Sequence, residues 1–212
     1  TSGLVLGLQW ACSSDKPNVP FSPNVYLTIN SDGSVVIVAH RQEMGTGIRT
    51  GLPLVLADEL EADWSRVSLQ QAVGDEKKYG NQNTDGSFSI RMFFEPMRKA
   101  GASARMMLEQ AAAQKWGVDA GDCKAQNHEV VSKSGKKIGF GELTEIASKL
   151  GVPAEDKIVL KNKADWKYIG KKTNLYDTPD IVKGNAVYGI DVVKPGMKYA
   201  VILRCPVAGG KP

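Results

Sequence analysis

Residues 42–52, Gln42-Glu43-Met44-Gly45-Thr46-Gly47-Ile48-Arg49-Thr50-Gly51-Leu52, hold the residue types and spacing in this chain best suited to chemistry. The apolar run 35–39 leads into a glycine-flanked turn, and the turn opens into an apolar-periodic stretch that reaches Ala57-Asp58-Glu59-Leu60. Two glycines around one residue let the backbone approach a ligand closely, because neither carries a Cβ. A helix starting there adds unpaired first-turn N–H groups and the positive end of its dipole. The arrangement presents free donors to an anion, and a phosphate-bearing ligand is the expected occupant. A plain strand–turn–helix bend satisfies the same G-x-G, since short glycine motifs match by chance.

A second polar loop, Asn83-Thr84-Asp85-Gly86-Ser87-Phe88-Ser89, stands directly before a long helical stretch over 90–116. Ser87 and Ser89 are each candidate caps for that helix, and donors left open there could hold a second anionic group. An ordinary N-cap explains the same residues. Two helix starts of this kind suit a ligand with more than one phosphate.

The elements that must position these loops read as α+β. Runs 25–29 and 34–39 alternate and are joined by Asn30-Ser31-Asp32-Gly33, a hairpin signal. A helix is expected over 50–62, with Leu52, Val55, Leu56 and Leu60 on one face and Pro53 in its first turn. A third strand over 67–73 and a loop over 74–83 follow. Beyond the long helix, 123–132 and 136–138 read as a hairpin around Lys133-Ser134-Gly135, and 140–150 as a short helix ended by Gly151.

With the elements in place, the motifs become recognisable. Glu43-Met44-Gly45-x-Gly47-x-x-Thr50-x-Leu52, then Ala57-Asp58-Glu59-Leu60 and Asp63-Trp64-Ser65-Arg66-Val67, resembles the molybdopterin-binding subunit of the xanthine oxidase family. The branch it resembles holds the beta subunit of isoquinoline 1-oxidoreductase and the membrane-associated aldehyde dehydrogenases of bacteria. Thr84-Asp85-Gly86-Ser87-Phe88-Ser89 is similar to the family's T-G-G-S-x-S loop. The stretch 98–105, with Ala111-Ala112-Ala113 and Trp116, is similar to the helix after it. Asp177-Thr178-Pro179, Tyr188-Gly189-Ile190-Asp191 and Pro195-Gly196-Met197 resemble the opening of the family's α/β hammerhead domain.

This resemblance implies a mixed sheet with packed helices as the molybdopterin-binding portion, followed by the start of a hammerhead. The implied division is 1–20 as the remnant of an export signal or linker and 21–152 as the cofactor-binding portion. A lysine-rich linker over 153–175 and an incomplete hammerhead over 176–212 complete it, with strands at 186–192 and 199–203. Met44, Gly45, Thr46, Gly47 and Thr50 would contact the cofactor from one side, and Thr84, Asp85, Gly86, Ser87, Phe88 and Ser89 from the other. The implied cofactor is molybdopterin cytosine dinucleotide, with molybdenum. Two positions depart from the family pattern: Thr46 replaces a Gln, and Asp85 replaces a Gly and sets a carboxylate near expected phosphates. The family's base glutamate belongs to a segment with no counterpart here, so no catalytic residue is assigned.

The implied reaction is oxidation of an aldehyde or N-heteroaromatic carbon with oxygen from water. Electrons would pass to iron–sulfur clusters on a small partner subunit, with a cytochrome c subunit and a separate chain carrying the rest of the large subunit as further candidates. The alternative is a truncated, non-catalytic domain that folds and binds no cofactor.

Composition fits a soluble globular class able to bury a core. A formal charge of +4, with lysines spread through loops, reads as a solvated face rather than a nucleic-acid surface. Cys12, Cys123 and Cys205 lie too far apart for a zinc or iron–sulfur motif, and His40 and His128 are too few for a metal site. His40, beside the glycine turn, reads as a structural histidine at a strand end. The short apolar stretch Thr1 to Cys12 reads like the end of an export signal, which points to the periplasm or the outer face of the cytoplasmic membrane, with export of the folded chain; Cys12 is a weak match to a lipidation site. No run is long enough to span a bilayer.

Overall fold

A computed structural model describes residues 19–210. The expected export remnant falls almost wholly outside them, as does Cys12. Contacts divide the chain into a unit ending at Leu175 and one starting at Tyr176.

The first unit is built on a four-stranded sheet in the order β1 (Phe21–Asn24), β2 (Leu27–Ile29), β3 (Val35–Ala39), β4 (Val67–Gln71). The strand expected over 25–29 is shortened to β2, and β1, just before that run, is an additional strand. Val25 and Tyr26 turn the chain between β1 and β2, with the Tyr26 N–H donating to Asn24 Oδ1 at 3.0 Å. The β2–β3 hairpin forms as expected, and Gly33 takes a φ of 84° that only its missing Cβ makes easy. β3 and β4 run parallel, Val35 opposite Val67, which requires a crossover. α1 (Ile48–Leu60) is that crossover, so the glycine turn sits at the C-terminal end of a βαβ strand.

α1 departs from the amphipathic expectation. It starts two residues earlier than predicted, at Ile48, and nearly all of it is buried, Asp58 and Glu59 included. A helix covered on every side shows no polar stripe, because its acids are satisfied by partners rather than by water. The cover is α3 (Phe88–Trp116), 29 residues long, which crosses α1 at Gly101. A Cβ on Gly101 would lie 2.4 Å from the Leu56 carbonyl oxygen, so glycine sets the depth of the crossing.

A one-turn helix, α2 (Glu76–Tyr79), interrupts the expected 74–83 loop. After α3, the expected single strand over 123–132 is two: β5 (Cys123–Gln126) and β6 (Glu129–Ser132), paired antiparallel, with β7 (Lys137–Gly139) completing a second sheet. Asn127 and His128 make the turn with φ of 49° and 72°, both in the left-handed region that a two-residue hairpin demands. The expected helix over 140–150 shrinks to a 3₁₀ turn at Phe140–Leu143 and α4 (Thr144–Ala147). His128 ties the hairpin to the first sheet: its Nδ1 accepts the Asp63 N–H at 3.1 Å, and Nε2 donates to the Gly33 carbonyl at 2.7 Å.

The lysine-rich run after Gly151 is strapped to α1. The backbone N–H groups of Lys167, Tyr168 and Ile169 and the Lys161 ammonium all donate to Asp58. Glu59 receives Arg98 Nε at 2.7 Å and the Lys161 N–H at 3.0 Å, and Arg105 donates to its carbonyl. Lys161 is therefore a buried ion-pair partner and not part of a solvated face.

The second unit contains α5 (Thr178–Lys183), closed by Gly184, and a 3₁₀ turn at Gly189–Asp191. The strands expected at 186–192 and 199–203 do not form among the described residues. A strand exists only as part of a ladder, and a lone pair of short strands is marginal in water; here their apolar side chains stay exposed.

Candidate functional site

The two loops singled out by sequence meet. Thr84 Oγ1 donates to the Gln42 carbonyl at 2.8 Å, joining them directly. Gln82 Nε2 donates to the carbonyls of His40 and Val73, fastening the chain beyond β3 to the segment before α3. Between the loops lies a cleft of about 440 Å³, lined by Met44, Thr46, Gly47, Ile48, Gly51, Thr84, Asp85, Gly86, Ser87, Ser89 and Ile90. That is within the size range of small-molecule sites, and the lining is mostly apolar with a few hydroxyls, as such sites are.

At the α1 end, the donors expected to face a ligand are already used. Glu43 Oε1 accepts the N–H groups of Gly45 at 2.7 Å and Gly47 at 2.9 Å, and Oε2 accepts that of Arg49 at 3.0 Å. Burial pushes the Glu43 carboxyl up, and the N–H groups of Arg49, Gly47, Gly45 and Thr46 outweigh it, holding the group below the usual carboxylate range. Gly47 is required twice over. It caps α1 with a φ of 80°, and a Cβ there would meet Leu175 Cδ2 at 2.8 Å.

The α3 end differs. Ser87 is the N-cap, yet it sits in the left-handed region at φ 58° and its side chain caps nothing. Ser89 is not a cap either: its hydroxyl accepts Arg41 Nε at 2.9 Å. The expectation that these serines cap the helix is therefore corrected, and the first-turn donors at Ser89 and Ile90 have no side-chain cap. Arg41, 1% exposed, also donates Nη1 to the carbonyl and Oδ1 of Asn81, while its Nη2 is buried without a partner. Burial lowers its pKa, opposed by the fields of Asp85 and Glu76. Asp85 is exposed at the cleft with this cation behind it, which offsets the charge it brings to the site.

Of the residues predicted from sequence, Met44, Thr46, Gly47, Thr84, Asp85, Gly86, Ser87 and Ser89 line the cleft, whereas Gly45, Thr50 and Phe88 do not. Thr50 is buried in α1, and Phe88 turns back so that its ring packs against the Gly86 backbone. Ile48, Gly51 and Ile90 were missed. Gly51 is legible in hindsight, because it follows Gly47 by four residues and shares its helix face. His40 makes no hydrogen bond through its ring, which packs 4.4 Å from Phe93 and 5.0 Å from Tyr26.

The sequence matches the family described as the molybdopterin cofactor-binding domain over residues 3–192. The chain belongs to that family. Among relatives of this molybdopterin cofactor-binding chain, the beta subunit of isoquinoline 1-oxidoreductase from Brevundimonas diminuta is 34% identical, across 90% of this chain and 29% of its own length. The membrane-bound aldehyde dehydrogenase [pyrroloquinoline-quinone] of Gluconacetobacter polyoxogenes is also 34% identical, across 84% and 23%. A nicotinate dehydrogenase subunit of Pseudomonas putida is 28% identical, across 87% and 15%. The chain thus spans less than a third of the length of these relatives, and the motif-based placement in the xanthine oxidase family stands. Of solved structures, the Cu,Mo-CO dehydrogenase is similar with a TM-score of 0.46 at 20% identity, over 55% of this chain and 15% of that one.

Proposed function

We propose that this segment is the cofactor-binding part of a molybdenum hydroxylase, and that the cleft between the two loops is where it grips the dinucleotide arm. The observation that carries this is the meeting of both loops at one cleft in a chain that matches the molybdopterin-binding family. The residues fit such a group. Gly47, Gly51 and Gly86 leave backbone without side chains along the cleft, the hydroxyls of Ser87 and Ser89 offer donors, and the α3 end is uncapped. Bound there, the cofactor would supply the two-electron oxidation of an aldehyde or N-heteroaromatic carbon with oxygen from water. This chain's own residues bind and orient it and supply no proton transfer. Isoquinoline and aldehyde substrates are the reading taken from the relatives' names.

The cytosine dinucleotide is the form of cofactor this reading takes. Electrons leave through iron–sulfur clusters on a small partner subunit, with a cytochrome c subunit as a later acceptor, and a separate chain can carry the remaining large-subunit segments. Export of the folded protein to the periplasm completes the proposal. Among the described residues no helix is long and apolar enough to cross a membrane.

The test is metal analysis of the protein from its native source, together with release of cytidine monophosphate by acid. Stoichiometric molybdenum and CMP are expected. Thr46 and Asp85, at the cleft itself, favour a second reading in which the domain folds and binds no cofactor; absence of both molybdenum and CMP selects it.

A further inference from the structure

We propose that Glu43 is a built-in anion that closes the α1 end of the cleft, leaving the α3 loop as the end of the cleft that receives the cofactor's anionic group. This rests on the cofactor reading above and deepens it.

The turn over 45–49 is a concave set of backbone donors of the kind that holds phosphate. One carboxylate spans it. Glu43 Oε1 takes Gly45 and Gly47, and Oε2 takes Arg49, at 2.7, 2.9 and 3.0 Å, lengths normal for charge-assisted bonds. The next donors, the Thr50 and Gly51 N–H groups, go to the Gly47 carbonyl at 3.1 and 2.8 Å. A phosphate could enter only by expelling Glu43 or by sitting beside its charge, and like charges at contact distance repel strongly.

The α3 end has the opposite character. No side chain caps it, its Ser89 hydroxyl is pinned by Arg41, and Arg41 Nη2 is a buried, unpartnered donor behind the same loop. The cleft is therefore polar in the electrical sense. One end has its donors taken up by its own carboxylate, and the other keeps first-turn donors that no side chain caps, with the Arg41 cation behind the loop and the exposed Asp85 carboxylate, which that cation offsets, beside them. The ligand surface at the α1 turn is formed by the Met44 and Thr46 side chains and the glycine backbone, not by N–H groups aimed at phosphate.

The test is titration of the full chain with inorganic phosphate, followed by amide NMR, with Glu43→Ala and Glu43→Gln beside the native protein. In the native chain the Ser89 and Ile90 amides should shift and those of Gly45, Gly47 and Arg49 should not. In Glu43→Ala the latter three should join the titration, with a second phosphate bound per chain. Glu43→Gln, which keeps the side chain's length without its charge, should bind at that turn at least ten-fold more tightly than the native chain. Phosphate-dependent shifts at Gly45, Gly47 and Arg49 in the native chain overturn the inference, and so does a folded Glu43→Ala in which they stay silent. If Ser89 and Ile90 never respond while the α1 turn opens on loss of Glu43, the cofactor clamp at α3 fails and the role of Glu43 stands. Should neither variant fold, the native titration alone decides: response at α3 only supports the inference, and response at the α1 turn sinks it.

Discussion

His40 and Arg41 are neighbours in sequence, both about 1% exposed, and meet burial in opposite ways. Arg41 keeps its charge and recruits oxygen atoms from Asn81 and Ser89. His40 gives its charge up: burial, with Arg41 adding to it, pulls its pKa from 6.5 to about 4. In the unfolded chain the imidazole binds its proton near pH 6.5, and in the folded chain only near pH 4. Its contribution to stability is therefore complete above pH 6.5 and is lost as pH falls from there to about 4, amounting to about 3 kcal/mol in all. Urea midpoints followed from pH 7.5 to 4.5 should fall in the native chain and flatten in His40→Phe. His128, which burial also holds low, contributes to the residual slope, and toward pH 4.5 the carboxylates held below their usual range, Glu43 and Asp58 among them, add to it. The sequence placed His40 as structural at a strand end, and that is what the ring packing shows. Arg41 was not legible, since a single cation after an apolar strand reads as the first exposed residue, and its partners lie about forty residues away.

Elements were legible where one periodicity ruled them and illegible where a distant partner did. The β2–β3 hairpin, the crossover helix and the long α3 follow from alternation, glycine and apolar spacing. The Asn127–His128 turn was missed because neither residue is the glycine that a tight hairpin usually advertises. The strap over 161–169 was missed because lysine-rich sequence looks solvated until its acids are located on α1. Two glycines make the helix argument testable with opposite signs. Gly101→Ala must push the Cβ into the Leu56 carbonyl and should cost about 1–3 kcal/mol, read by thermal unfolding. Gly51→Ala meets no atom within 4 Å and should stabilise α1 by about 0.5–1 kcal/mol. Because Gly51 lines the cleft, the same change should lower molybdenum content in the loaded protein, separating stability from binding.

In the first unit as a whole, two sheets and the two long helices α1 and α3 are joined by a few polar connections of long sequence separation: His128 to Gly33, Arg41 to Ser89, and the strap to α1. Asp58 makes the last of these measurable. Burial pushes its carboxyl up, and the Lys161 ammonium with the Ile169 and Tyr168 N–H groups bring it below the usual range. Asp58→Asn keeps the shape, removes the charge and leaves Lys161 short of a partner. It should cost about 3–5 kcal/mol in urea unfolding and speed proteolysis within 153–175.

The Asp58 carboxylate also imposes an order of events on a chain being made. All the donors it uses come from residues 161–169, more than a hundred positions later, while its own helix is among the earliest elements synthesised. Until the ribosome has released that stretch, the α1–α3 contact can close only over an unpaired charge or a carboxyl that has taken up a proton. A nascent chain stopped short of Ile169 carries every fully buried apolar residue of the described core and still lacks the electrical permission to seal it.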